Sequence, residues 1–306
     1  VKITNTYNLP AAIVTATSRY SQRRDTTPRR IRVTELIGPP QMRVLTHQHW
    51  DDIEEDVTDR VWALFGSAVH EILHQGNDAN TLTEERLNLQ VGDWTISGQS
   101  DLYEEDGTLS DWKVKSVWGI VYGDGGSEEQ QVNVYAHILR AHGFSVNRLQ
   151  IVAILRDWQQ RKARMDKSYP QRPVNVRTVP LWDSATAQAF IEARLLLHSA
   201  AVDGQVPPCT SEERREKPTT YAVMKGTNKR AARVLNSDAD ARSWAMTNLK
   251  ADEKFRMDVR PGENIRCQSY CRCLPWCAQG QALVAVGNEL IDWVNAAHAI
   301  AATKGG

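Results

Sequence analysis

Asp101, Asp111 and Lys113 stand close together in the stretch GQSDLYEEDGTLSDWKVKS at 98–116. If this stretch is extended, successive residues point to opposite faces, so Asp111 and Lys113 project from one face and Trp112 from the other. Asp106-Gly107 is a hairpin turn signal, and a return through it brings Asp101 beside Asp111. Two carboxylates at one point repel and are costly unless a cation sits between them. Hard oxygen donors with room for water suit Mg²⁺ or Mn²⁺. A lysine beside such an ion orients or deprotonates a water, or stabilises charge on a phosphate. The pattern therefore suits metal-assisted phosphodiester hydrolysis. A solvated hairpin with an Asp–Lys pair on its polar face is the plain alternative.

The elements around this hairpin follow from periodicity. Residues 58–75 put Val61, Leu64, Phe65, Ala68, Val69 and Ile72 at helical spacing, predicting an amphipathic helix. Three antiparallel strands are expected at about 86–91, 94–103 and 108–116, with turns at Gly92-Asp93 and Asp106-Gly107. SEEQQVNVYAHILRAHG reads as a helix with Ser127 as N-cap and Gly143 as its stop. RLQIVAILRDW and VNVRTVPLW read as strands, and 184–204 as a long helix. Mixed strands and helices imply an α/β or α+β class with a mixed sheet. Residues 1–57 read as a loop-rich N-terminal arm and 58–206 as the core. Residues 207–306 read as a cysteine-bearing appendage, with helices near 238–250 and 279–302, packed on the core rather than folding separately.

Two further polar sets flank the hairpin. Gly66 and His70 lie on the preceding helix. Gln131 and Tyr135 are at i, i+4 on the following one and share a face. An amide and a phenol there can hydrogen-bond a phosphate or a base without adding charge. Near the C-terminus, RCQSYCRCLPWCAQG holds Cys267, Cys271, Cys273 and Cys277, and Cys209 lies upstream. Clustered thiols in a chain this poor in cysteine point to metal rather than to disulfides. Zinc and an iron–sulfur cluster both accept four thiolates, and the usual Cys-x-x-Cys repeat of zinc knuckles is absent.

Taken in order, Gly…His, Asp, Asp-x-Lys and Gln-x-x-x-Tyr resemble the PD-(D/E)XK nuclease superfamily, most of all the branch of RecB-type and Cas4-like nucleases and phage exonucleases. RVTELIGPP and PPCTSEERREKPTTYAV also look like phage-encoded members. The resemblance implies a restriction-endonuclease-like core, a mixed central sheet flanked by helices. It implies His70, Asp101 and Asp111 as ligands of Mg²⁺ or Mn²⁺, with the backbone carbonyl of Trp112 beside them. Lys113 would position or activate the attacking water, and Gln131 and Tyr135 would support the site or touch DNA. The branch usually has Glu where this chain has Asp111. It includes members with a [4Fe–4S] cluster, which by similarity would rest on Cys209, Cys267, Cys271 and Cys277 and leave Cys273 spare; structural Zn²⁺ is the alternative.

The composition limits the rest. The 306 residues are 41% hydrophobic and 24% charged, those of an ordinary globular chain and not a disordered one. No apolar run approaches a membrane span, which predicts an intracellular, cytoplasmic protein with no membrane partner. The formal net charge is zero, so attraction to nucleic acid must come from local patches. Three segments supply them: Arg23, Arg24, Arg29, Arg30 and Arg32; Arg156, Arg161, Lys162 and Arg164; and Lys225, Lys229, Arg230 and Arg233. The expected partner is DNA, single-stranded or with free ends, together with a recombination protein. The competing expectations are a catalytically inactive DNA-binding protein of the same fold and a zinc-bearing interaction protein.

Overall fold

The structure is a computed structural model and describes residues 1–19, 27, 29–76, 81–121, 126–250 and 254–287. Arg23 and Arg24 of the first basic segment, and 288–302 of the last expected helix, lie outside the described residues. The chain forms two compact units, Val1–Pro207 and Pro208–Gly306. The class is mixed α/β.

The first unit begins with β1 (Lys2–Thr4), α1 (Ala11–Arg19), β2 (Arg30–Arg32), α2 (Val33–Leu36), α3 (Pro40–Gln48) and β3 (Glu54–Asp56). It continues with α4 (Val61–Gln75), β4 (Thr81–Leu82), β5 (Arg86–Val91), β6 (Trp94–Gln99), β7 (Leu102–Glu104) and β8 (Thr108–Lys115). It closes with α5 (Val117–Val121), α6 (Ser127–Ala141), β9 (Arg148–Leu155), α7 (Gln160–Met165), β10 (Val174–Val179) and α8 (Ser184–Val202). The larger sheet has the order β10-β9-β8-β7-β4. β8 and β9 run parallel, with Asp111 opposite Ile151, and their neighbours run antiparallel. A parallel pair needs a crossover, and α5 and α6 provide it. One face of β9 is buried, its Leu149, Ile151 and Ala153 nearly inaccessible, while Arg148 and Gln150 on the other face are not buried. The side of α6 bearing Val132, Tyr135, Ala136, Ile138 and Leu139 packs into the same core, with Leu109 of β8 and Ile191 of α8.

The β7–β8 hairpin turns at Asp106-Gly107, where the Thr108 N–H donates to Asp106 Oδ1 at 2.8 Å. Gly107 adopts φ +83°, and a Cβ there would meet Ser145 O at 2.6 Å, so only glycine serves.

Four expectations for the first unit are revised. The strand expected over 94–103 is broken at Ser100-Asp101. β6 pairs with β5 and β2 in a separate three-stranded sheet, and β7 pairs with β8 and β4. At the break, Ser100 O accepts from the Glu84 N–H (3.1 Å) and the Asp101 side chain accepts from Trp112 (2.7 Å), so the backbone and the side chain are drawn to different partners. The described residues of 1–57 are not loop-rich: they hold three helices and three strands and put Ile31, Val33 and Leu36 into the core. Helix α4 forms, but none of its residues is buried, and Trp62, Phe65 and Ile72 stay 57%, 41% and 67% exposed. Ser127 is the first helical residue of α6, and Gly126, at φ +83°, caps it.

The second unit contains α9 (Ser211–Arg214), β11 (Glu216–Lys217), β12 (Thr220–Lys225), β13 (Arg233–Leu235), α10 (Asp238–Asn248), β14 (Phe255–Arg260), β15 (Glu263–Asn264) and α11 (Ile265–Ser269), followed by helix at 278–287. Strands β13-β12-β14 form an antiparallel sheet. Val223, Ala241 and Ala245 make a core of the unit's own, where the sequence suggested an appendage without one.

Within the first unit, α8 is tied to α2 through His198, which is 1% exposed and donates from Nε2 to Leu36 O at 3.1 Å. Burial, the largest influence, holds its imidazole down to about 4, from 6.5. The neutral ring is thus the folded form. Above the ordinary value both folded and unfolded rings are neutral and the stabilisation is complete. As pH falls below 6.5 the unfolded chain takes up a proton that the fold refuses, and about 3 kcal/mol is lost by the time pH reaches about 4. Urea unfolding of wild type and His198→Gln across this range should show the acid-side loss reduced by about that amount in the variant. An identical pH slope would rule His198 out as its source.

Candidate metal centre

Three elements of the first unit meet at the open end of the β7–β8 hairpin. β8 alternates its side chains, so Asp111, Lys113 and Lys115 share one face. In the β7–β8 register Leu102 lies opposite Ser110, which sets Asp101 next to the start of the Asp-x-Lys run. Asp101 Oδ2 accepts the Trp112 N–H at 2.7 Å, and its Oδ1 lies 3.2 Å from His70 Nδ1. Helix α4 delivers His70, and Glu84 approaches from the segment before β5, its Oε1 3.8 Å from the same nitrogen. One donor atom from each of His70, Glu84 and Asp101 lies within 4.8 Å of the others.

Asp111 does not join that trio. It is 2% exposed, and its Oδ2 lies 2.5 Å from Lys113 Nζ, with no hydrogen bond of good geometry to that oxygen. Burial raises the Asp111 carboxyl to about 6, from 3.8; Lys113 opposes this and Asp101 adds to it. Burial pulls the Lys113 ammonium down, but Asp111 and Asp101 together outweigh it and its pKa is raised. Lys113 is therefore a fixed positive charge near neutral pH. The hydrogen bond to Asp101 raises His70 against the opposing effect of burial.

Helix α6 adds the opposite wall. Glu128, Gln131 and Tyr135 recur at three and four residues and share a face. Gln131 Nε2 donates to Tyr135 Oη at 3.0 Å, and burial pushes the phenol up to about 12, so it stays protonated. The Tyr135 ring rests on Gly98, where a Cβ would meet Tyr135 Cδ1 at 3.0 Å and Ile138 Cδ1 at 2.8 Å. Glu128 is 6% exposed; it pairs with Lys115 and accepts from Arg177 Nη2 at 3.0 Å. A cavity of about 660 Å³ opens on His70, Glu84, Asp101 and Tyr135.

The structure thus sets His70, Asp101, Asp111, Lys113, Gln131 and Tyr135 in one region, but Asp111, expected to share an ion with His70 and Asp101, faces Lys113 instead, and Glu84 stands in the trio. Trp112 lies between the two β8 residues and gives its N–H to Asp101. Sequence reasoning missed Glu84, Lys115, Glu128 and Arg177. Lys115 and Glu128 had a signal, since each repeats the period of its element. Glu84 had none, because it enters the site through a left-handed backbone (φ +53°) that a glutamate rarely adopts.

No family model matches the chain, and no curated protein matches it. Among solved structures it is similar to "Crystal structure of SSO0001", at 16% identity and a TM-score of 0.41, over 60% of this chain and 84% of that one. A likeness this slight carries no argument about function. No helix among the described residues is long and apolar enough to cross a membrane.

In the second unit all five cysteines are free, and Cys209, Cys267, Cys273 and Cys277 are buried. Cys209 is pushed up to about 12 by burial, then by Glu213 and by Cys277, Cys267 and Cys271. Cys267 is raised by burial and by Cys271 and Cys277. A hydrogen bond with Cys273 brings Cys271 down to about 6. The four thiols assigned from resemblance therefore feel one another, and Cys273 serves Cys271. Gly280 N–H donates to Cys277 Sγ at 3.2 Å, and Gln279 holds Cys209 by bonds to both its N–H and its C=O, each 2.9 Å.

The donor chemistry in the first unit suits a hard divalent cation: carboxylates crowd one point, and the buried Asp111 Oδ2 lacks a well-aligned donor. Glu84 is held for such a role by Gln99, whose Nε2 donates to Glu84 Oε2 at 2.9 Å. In calorimetric Mn²⁺ titrations, Glu84→Gln is expected to weaken binding about 10- to 100-fold. Wild-type affinity in that variant would remove Glu84 from the site.

Proposed function

We propose that this protein is a metal-dependent DNA nuclease, acting as an exonuclease in recombination, repair or phage DNA processing. The observation that carries the reading is the buried Asp111–Lys113 pair on the hairpin that also holds Asp101 against His70. A mixed sheet with α4 and α6 beside that hairpin is what a restriction-endonuclease-like core would supply. His70, Asp101, Asp111 and the Trp112 carbonyl would hold Mg²⁺ or Mn²⁺, with Glu84 as a further carboxylate donor. When bound, such an ion polarises the scissile phosphate and lowers the pKa of a bound water. Because Asp111 and Asp101 keep Lys113 protonated, its part is to hold a water or a phosphate oxygen by charge and hydrogen bond. Tyr135, kept neutral by burial and oriented by Gln131, offers its hydroxyl to the same region. Glu128 anchors Lys115 and keeps that second cation off the Asp111 carboxylate.

For the second unit we propose a [4Fe–4S] cluster on Cys209, Cys267, Cys271 and Cys277, with a structural role. What supports one shared group is the mutual influence of the thiols: Cys267, Cys271 and Cys277 all raise Cys209, and Cys271 and Cys277 raise Cys267. Anaerobically purified protein is expected to be brown and to carry about four irons per chain; colourless protein containing zinc would overturn the assignment.

The second reading is a DNA-binding protein of the same fold without turnover. Asp111 favours it, being one methylene shorter than the usual Glu and paired in charge with Lys113. End-labelled linear DNA, single- and double-stranded, in Mg²⁺, Mn²⁺ and EDTA separates the two. Degradation that needs metal and drops at least about 100-fold in Asp101→Ala and Lys113→Ala is expected. No degradation by folded, cluster-loaded wild type in either metal would leave DNA binding as the function.

A further inference from the structure

Helix α4 does more than carry His70. Trp62, Gly66 and His70 recur at i, i+4 and i+8 and lie along one side of it. Gly66 and His70 line the cavity of the metal centre. A Cβ at Gly66 would meet no described residue within 4 Å, so the helix surface between Trp62 and His70 is open. At 1.5 Å per residue, Trp62 stands about 12 Å from His70 along the helix axis.

Trp62 is 57% exposed, and the Arg156 guanidinium lies over its ring, 4.0 Å from the centroid. A cation thus occupies one face of the indole, and the exposure belongs to the rest of the ring. Arg156 is itself tied to the site: its N–H donates to Lys115 O at 2.9 Å, at the end of the strand that holds Asp111 and Lys113. It opens the excursion between β9 and β10, where residues 156–172 hold six cations and two acids. Both acids are engaged by neutral groups: Asp157 accepts the Val117 N–H (2.7 Å) and Asp166 the Ser168 N–H (2.8 Å). None of the six cations forms an ion pair with a described residue.

An exposed indole backed by a guanidinium, beside a segment of unpaired cations, fits one class of partner. An apolar protein surface, or a second copy of this one, would cover the indole but take the cations out of water without counter-charge. A single nucleic-acid strand offers a flat π-face to the ring and phosphates on either side of it to the cations. In a duplex that face is hidden by stacking and pairing.

We infer that Trp62, backed by Arg156, is a stacking seat for one base of a single strand, and that α4 leads the strand from this seat to the metal centre. The separation of about 12 Å is no more than about four nucleotides at stacked spacing. The seated base therefore sets which bond of the strand lies at Asp101 and Asp111, which makes Trp62 a positioning residue. The inference rests on the nuclease reading for its purpose but not for its test.

The test is binding in EDTA, where the metal takes no part. Fluorescence anisotropy compares a labelled oligothymidylate with an abasic strand of equal length, which carries the same phosphates and no bases. Wild type, Trp62→Ala, Trp62→Tyr and Arg156→Gln are measured on both. Wild type is expected to favour the base-bearing strand at least about tenfold. Trp62→Ala should cut that preference at least about fivefold and leave affinity for the abasic strand unchanged, and Trp62→Tyr should retain it. Arg156→Gln should weaken both strands, since the phosphates are common to them. Equal affinity of wild type for the two strands would overturn the inference. So would a preference that survives Trp62→Ala, which would place the base contacts elsewhere. A wild-type oligomer that Trp62→Ala dissociates, with no base preference, would make this face a protein interface and overturn the inference as well. Base preference without cleavage in Mg²⁺ or Mn²⁺ would leave this inference standing and sink the nuclease reading; cleavage without base preference would do the reverse.

Discussion

A carboxylate almost wholly removed from water dominates the first unit. An ionised Asp111 at 2% exposure would cost several kcal/mol if unpaired, and the structure places Lys113 against it, two residues on along the strand. That pairing is possible only if the segment is a strand, because the period of two puts both side chains on one face. It also requires that the face turn inward, towards α6, rather than to solvent. The β8–β9 register, the crossover through α6 and the hairpin turn at Gly107 all serve to hold that face where it is. A slip of one residue in β8 would turn Asp111 and Lys113 to the other side and Trp112 into their place.

The surrounding charges are arranged in pairs rather than pooled. Glu128 takes Lys115 and Arg177, Asp111 takes Lys113, and Asp101 takes His70 together with the Trp112 N–H. Glu84 is the less committed acid: its Oε2 is held by an amide, and its Oε1 stands 3.8 Å from His70. The pairings explain why neighbouring groups shift in the directions they do. Asp111 rises because burial outweighs its lysine, and Lys113 rises because two carboxylates outweigh its burial. Such a cluster responds to a cation as one unit, since neutralising any one carboxylate changes the balance felt by every partner.

Much of this was legible in the sequence where a single element carries the information. Asp111 and Lys113 lie on one strand, and Gln131 and Tyr135 on one helix, so their faces follow from the local period. The hairpin that carries Asp101 to Asp111 follows from Asp106-Gly107. What was not legible depends on the chain changing its periodicity. The break at Ser100-Asp101 lies inside a run of strand-like residues, and nothing local marks it; it arises because the side chain of Asp101 and the backbone of Ser100 satisfy partners on different segments. Glu84 enters through the same join, opposite Ser100, in a backbone conformation foreign to its residue type. The N-terminal residues were misjudged for a related reason. Their prolines and arginines suggest loop, but β2 needs only three residues to pair with β6, and Ile31, Val33 and Leu36 then reach the core.

The break at Ser100-Asp101 also decides what kind of site this is. Had the strand run on unbroken, β6 and β7 would lie in one sheet, and Ser97, Gln99 and Asp101 would form a single polar row on one flat face. Splitting the run sends β6 to β2 and β5 while β7 stays with β8. The row now crosses from one sheet to another, and a cavity opens where they part, with arginines on the first sheet and carboxylates at the edge of the second. One residue, Asp101, marks the boundary: one of its oxygens faces His70 while the other accepts the Trp112 N–H and so fixes the strand that carries Lys113.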